Sequence, residues 1–246
     1  MDSMLQLPME QITLDRRSGV SRLALDANYY VKTFRGRGSR LKFLLGISRY
    51  QRELRNLQYF ETLGLLIPRI IAYGHQSRLG LMQQAVLVTA EVEHARDLAQ
   101  VIASGSLYSE GIAGARGLLG QLARAARLMH ADGFYHKDLK TRNVLVRRQP
   151  GQAELFFFDC PSGHRPPRFL LRRGVIRDLA NLEEGLRGHV RRADLLYMYR
   201  QYRDCERLSE GDKALAREAL NYHAQRRMTR KRRRRAERKR ANAGGP

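Results

Sequence analysis

Only two cysteines, Cys160 and Cys205, occur in 246 residues, which excludes a disulfide framework and fits a reducing compartment. Long apolar runs are missing as well. Stretches such as Leu155-Phe156-Phe157-Phe158 and Ala85-Val86-Leu87-Val88 fall far short of the roughly 20 residues needed to span a bilayer. The first turns of the chain contain Asp2 and Glu10 and lack a basic stretch followed by an apolar run, so they do not read as a secretory signal. These absences point to a soluble or peripheral protein. Acidic residues are the third scarcity: 24 stand against 46 Lys and Arg, a formal charge of +22. Such an excess calls for a polyanionic partner, whether nucleic acid, anionic lipid or a phosphorylated glycan. It is concentrated in residues 226–240, which carry eleven Lys or Arg and one acid, Glu237.

A 28.4 kDa chain is long enough for one large domain, or for two lobes sharing a cleft. Short β-like runs come first, at residues 11–14, 20–25 and 29–34, punctuated by Ser18-Gly19 and Asp26-Ala27-Asn28. After a break at residues 36–39, Tyr50, Leu54, Leu57, Phe60 and Leu63 share one face of an expected helix ending at Gly64. Two further strands are expected at 69–73 and 83–90, which completes a five-stranded antiparallel sheet with one inserted helix. The second half changes character. Leu118, Leu122, Ala125 and Met129 recur at helical spacing, residues 143–146 and 153–158 look like a hairpin, and helices are expected from about Arg177, over 193–202, and from about Asp212. The expected class is α+β. Residues 1–92 form a small sheet-rich lobe and 93–225 a mostly helical one, and 226–246 form a basic tail, disordered or lying on a membrane surface.

Chemistry concentrates in His136-Lys137-Asp138-Leu139-Lys140-Thr141-Arg142-Asn143, followed one hairpin later by Asp159 at the end of an apolar strand. Phosphoryl transfer needs a carboxylate to orient the acceptor hydroxyl and take its proton, and oxygen ligands to hold Mg²⁺ on the phosphates. The string resembles the catalytic loop of the protein kinase superfamily, His-Arg-Asp-Leu with an Asn five residues after the Asp. That resemblance implies a two-lobed kinase-like fold, ATP and Mg²⁺ as cofactors, and Asp138 with Lys140 as catalytic residues. It makes Asn143 and Asp159 the metal ligands. Lys32, on the third strand, would take the ATP phosphates with Glu53 of the following helix as its partner, although an isolated strand lysine is also a common edge charge. Glu91 and Val92 would offer backbone groups to adenine, or serve simply as a linker.

Departures from the superfamily pattern narrow the resemblance. No G-x-G-x-x-G is present, and Arg16-Arg17-Ser18-Gly19 reads either as an ordinary turn or as an electrostatic cover for phosphates. Asp159 is followed by Cys160-Pro161, with no Gly in the third position and no Ala-Pro-Glu before Arg177, which argues against a regulated protein kinase. The compact segment after Asp159, the Arg177-Asp178-Leu179-Ala180 helix and the Asp194 to Arg200 stretch resemble the lipopolysaccharide core kinases. The likeness runs from about Tyr29 to Arg203. It implies a lipopolysaccharide core oligosaccharide, at heptose or Kdo, as acceptor. It also gives Asp178 a place holding the catalytic-loop backbone, where a simple helix cap is the alternative. Cys160 reads as a small residue packed behind Asp159. His164, Arg165 and Arg168 stand either as ligands of an anionic acceptor or as a solvated loop.

The resemblance implies a cytoplasmic enzyme, peripheral on the inner face of the bacterial inner membrane, and the tail could hold it on anionic lipid. A small-molecule kinase, a protein kinase and a binding-only kinase fold are the alternatives. Nucleic acid is favoured by charge alone, without a recognition motif, and nothing in the sequence sets an oligomeric state.

Overall fold

The computed structural model describes residues 7–15, 18–36, 48–78, 81–149 and 152–243. Arg16, Arg17 and most of the break after Gly36 lie outside the described residues. Strands β1 (Glu10–Leu14), β2 (Ser18–Ala24) and β3 (Asn28–Arg35) form a meander, helix α1 (Arg49–Thr62) follows, and β4 (Ile70–Arg78) and β5 (Leu81–Ala90) close the sheet. Their order is β1-β2-β3-β5-β4, every pairing antiparallel. Alternation along β3 sends Val31 to a small cluster with Leu23, Val86 and Val88, and sends Phe34 toward α1 and the main core. Helix α1 starts on a full capping box, Ser48 with Gln51, and buries Tyr50, Glu53, Leu54, Leu57 and Phe60 at helical spacing. Glu53 is the odd member of that apolar face.

The second lobe is built from β6 (Ala95–Asp97), α2 (Leu98–Ala103), α3 (Gly111–Ala131), the hairpin β7 (Val144–Gln149) and β8 (Gln152–Phe157), then α4 (Arg168–Leu186), α5 (Arg192–Arg203) and α6 (Glu210–Ala243). The two-lobed α+β architecture is the one expected. Phe60, Phe134 and Phe157 meet in one cluster across the two lobes, Phe60 edge-on to both others. Each such ring contributes on the order of 2–3 kcal/mol by leaving water. The lobes therefore share a core as well as a cleft.

Three differences from the sequence reading stand out. β6 and α2 were not anticipated; both are short, and Asp97 caps α2 by accepting from the Gln100 N–H at 2.8 Å. Helix α4 begins at Arg168, nine residues before the Arg177 start the sequence suggested. Gly174 lies within that helix with the Tyr135 ring packed where a Cβ would be, so a larger side chain has no room there. The backbone of α6 stays helical through the basic run to Ala243. Between α3, α4, α5 and α6 lies an apolar cavity of about 360 Å³, bordered by Leu179, Leu182, Leu186, Leu195, Tyr199 and Tyr202.

Candidate active site

β3 carries Lys32 into the cleft and α1 carries Glu53 toward it. The Lys32 Nζ lies 2.6 Å from Glu53 Oε1 and 2.6 Å from Asp159 Oδ1. Lys32 and Glu53 are 15% and 2% exposed, so these charges meet largely out of water. Burial works against the ammonium, but the Glu53 and Asp159 carboxylates outweigh it and raise the Lys32 pKa. Burial raises the Glu53 carboxyl above its ordinary value despite Lys32, whereas at Asp159 the same burial loses to Lys32 and the pKa falls. Asp159 thus stays ionised at the foot of the cleft. It also sits at φ +55°, a left-handed conformation uncommon for a residue with a side chain.

The catalytic-loop string folds into a bend and a 3₁₀ turn, Thr141–Asn143, just before β7. Asn143 donates its Nδ2 to the Asp138 carbonyl at 2.9 Å, leaving its Oδ1 for another partner. Asp138 and Lys140 are ion-paired at 2.6 Å, each about one third exposed. Two groups result, Lys32–Glu53–Asp159 and Asp138–Lys140–Asn143, joined through the Phe158 N–H, which donates to the Asn143 carbonyl at 3.2 Å one residue before Asp159. A divalent cation there would take Asn143 Oδ1 and Asp159 as protein ligands and draw the rest from phosphate oxygens and water, which suits Mg²⁺. Among the described residues no cluster of three or more His, Cys, Asp or Glu offers an all-protein cage.

Glu91 stands where β5 leaves the sheet. Its N–H donates to Asn28 O at 2.9 Å and the Val92 carbonyl accepts from Ala95 at 3.1 Å. Among the described residues this leaves the Glu91 carbonyl and the Val92 N–H without a backbone partner. The Glu91 side chain is occupied elsewhere, accepting from Asn28 Nδ2 at 2.6 Å and from Tyr30 Oη at 3.3 Å.

Asp178 lies inside α4, fully buried, and accepts the His136 N–H at 2.6 Å. It does not open a helix, so the capping alternative fails and the side chain ties the catalytic loop to α4. His130, at the end of α3, joins the same group, its Nε2 at 3.5 Å from Asp178 and its Nδ1 at 2.9 Å from Tyr202 Oη. Burial pushes the His136 imidazole pKa down, and neither ring nitrogen has a hydrogen-bond partner among the described residues.

Two contacts were not foreseen. Asn56, one turn beyond Glu53 on α1, donates to Cys160 O at 2.6 Å and to Gly163 O at 3.0 Å, fixing the segment that follows Asp159. Its i, i+3 relation to Glu53 puts both side chains on one face of α1, but nothing in the sequence pairs it with residues 160 and 163. Tyr59, a further turn along, donates to Asp132, which also binds Arg165, and the Arg165 guanidinium lies 4.5 Å over the Tyr59 ring. Arg165 is therefore committed within the protein. His164 is held by paired backbone bonds with Tyr135, both 3.2 Å, while Arg168 stays exposed. Cys160 is fully buried with its thiol pKa pushed well up by burial, as befits a packing residue.

A model of the lipopolysaccharide kinase (Kdo/WaaP) family matches residues 13–202. The chain belongs to that family. Every residue of the cleft lies inside the matched span, and members of the Kdo/WaaP family are kinases, phosphotransferases acting on sugar hydroxyls. Among solved structures, one of WaaP in complex with acyl carrier protein is similar at a TM-score of 0.68 and 20% identity, covering 89% of this chain and 91% of that one. At that identity the likeness speaks for the kinase-like fold. No curated protein sequence matches the chain. No helix among the described residues is long and apolar enough to cross a membrane.

Proposed function

We propose that this lipopolysaccharide kinase uses Mg²⁺-ATP to phosphorylate a hydroxyl of heptose or Kdo in the inner core, at the inner face of the bacterial inner membrane. The observation that supports the reading is a pair of linked contacts: Lys32 binds Asp159, and Asn143, which holds the Asp138 carbonyl, accepts at its own carbonyl from the N–H of Phe158, the residue before Asp159. Mg²⁺-ATP supplies the phosphoryl group and neutralises charge on it as it is transferred. Asp138 orients the acceptor hydroxyl and accepts its proton, and Lys140 steadies that carboxylate. Lys32 meets the phosphates, Glu53 keeps Lys32 extended, Asn143 and Asp159 hold the cation, and the Glu91–Val92 backbone meets adenine. Transfer is direct and in line, without a phosphoenzyme. We assign residues 1–92 and 93–225 to the two lobes, and residues 226–246 to contact with anionic lipid.

The test is Asp138→Asn. Nucleotide binding persists in this variant, while phosphate transfer to purified lipopolysaccharide core falls by about a thousandfold. Mass spectrometry of the product locates the modified sugar. Transfer near the wild-type rate removes Asp138 from the mechanism, and a wild-type enzyme that prefers proteins or free small alcohols to core oligosaccharide removes the acceptor.

The related WaaP structure contains acyl carrier protein, and the same partner is proposed for this chain. The cavity bounded by Leu182, Leu186 and Leu195 is apolar enough for an aliphatic chain. Acylated carrier protein then raises the melting temperature and the unacylated form does not; equal shifts remove the cavity from this role.

A further inference from the structure

Among the described residues Phe169 is the most exposed large apolar side chain, at 82%, and Leu170 beside it is 44% exposed. Both stand in the first turn of α4, directly after Pro166 and Pro167, whereas the buried face of that helix begins only at Gly174. The turn therefore projects beyond the core. It is also held in place from behind. The segment that leads into it from Asp159 is fixed by Asn56 through Cys160 O and Gly163 O, and by the Tyr135–His164 backbone pair. Around the two apolar side chains, Arg168 and Arg173 are exposed and make no ion pair among the described residues, while Arg172 is bound to Glu218 of α6. That ion pair links the N-terminal part of α4 to α6, the helix that continues into the basic run and that also meets the C-terminal part of α4 through His223 and Glu184.

We propose that the Phe169–Leu170 turn is a membrane-docking wedge. Its two side chains enter the headgroup region of an anionic bilayer, and Arg168 and Arg173 lie against lipid phosphates. The proposal rests on the reading that the acceptor sugar is carried on a membrane lipid, and the wedge stands ten residues beyond Asp159 in the chain. A bilayer fits this patch better than a protein does. Two apolar side chains fall far short of the roughly 800 Å² per partner of a stable protein interface, whereas a lipid surface needs only apolar depth and a cationic rim. The arrangement also differs in kind from the basic run of α6. Insertion of a ring is insensitive to salt, and attraction of arginines to lipid is screened by it.

The chain contains no tryptophan, so a full-length Phe169→Trp variant carries a single reporter at the tip. With vesicles of phosphatidylcholine and phosphatidylglycerol its emission shifts to the blue and is quenched by brominated lipid. An emission unchanged while the protein floats with the vesicles overturns the wedge and leaves docking to the basic run. A blue shift that depends on protein concentration without vesicles overturns it too, in favour of contact between copies. In high salt, where the basic run is screened, Phe169→Ser with Leu170→Ser lowers vesicle binding by about tenfold; binding equal to wild type in high salt again overturns the wedge. Turnover on a soluble core fragment stays at the wild-type level in this variant. These optical and flotation readouts require no catalysis, so a wrong acceptor shows separately, as failure of the wild-type enzyme to phosphorylate that fragment.

Discussion

In the cleft, Lys32 meets Glu53 and Asp159 at 2.6 Å each, with Glu53 almost wholly out of water. Along α6, Arg226, Arg227 and Lys231 stand exposed, and the nearest company of Arg226 is the Tyr222 ring and hydroxyl. The two regions use charge in opposite ways. Buried and paired, a charge is fixed in direction and costly to unbalance; exposed and unpaired, it acts over a Debye length, roughly 8 Å at physiological salt, and costs the fold little. Phosphate chemistry needs the first arrangement and attraction to a surface needs only the second.

The sharpest way to break the contrast is to unbalance the buried set. Lys32→Met leaves Glu53 buried without its cation, with an expected loss of about 3 kcal/mol in chemical denaturation. Adding Glu53→Gln restores much of that loss while transfer activity stays absent. If the double variant is no more stable than the single one, the pair is not coupled as described.

Asn56→Ala is expected to have the next largest effect. It removes two hydrogen bonds to the segment after Asp159, at about 1–2 kcal/mol in stability. Because the segment positions Asp159, kcat falls by about tenfold with little change in the acceptor KM. Equal losses in stability without any change in kcat would reduce Asn56 to a packing residue.

A third effect separates buried from exposed groups by pH. Burial lowers the His136 pKa below its ordinary 6.5. As pH falls below that value the unfolded chain gains a proton that the folded chain refuses, so stability is lost on acidification. The melting temperature accordingly drops between about pH 7.5 and about pH 5.5, and drops less in His136→Phe, which keeps the stack on Phe60. An identical drop in both proteins assigns the acid sensitivity elsewhere.

The smallest effect completes the comparison. Deleting residues 226–246 leaves the unfolding free energy within about 0.5 kcal/mol of wild type, but weakens binding to anionic vesicles most at low salt. A large loss of stability would show that the basic run is part of the fold.

The contiguous string from His136 to Asn143, and Asp159 at the end of β8, were legible because their spacing is set by local backbone geometry. The sheet and α1 were legible through period 2 and period 3.6 in β3 and in Tyr50, Leu54, Leu57 and Phe60. The start of α4 was not. Phe169 and Leu170 face outward and Gly174 sits mid-helix, so neither periodicity nor propensity marks those turns. Asn56 reaches carbonyls 104 and 107 residues away, and Tyr59 and Arg165 meet on Asp132, from segments with no common pattern.

The sequence by itself singled out the groups proposed for phosphoryl transfer, because those residues lie in short motifs on or beside regular elements. Only the tertiary structure decided that Asp178 anchors the loop from inside a helix, and that Glu91 turns its side chain to Asn28 and Tyr30. It alone decided, too, that Arg165 is tied to Asp132 while Phe169 is left in water. The physical reason is that a motif fixes chemistry along the chain, while burial and partnership depend on which distant segment fills the adjoining space.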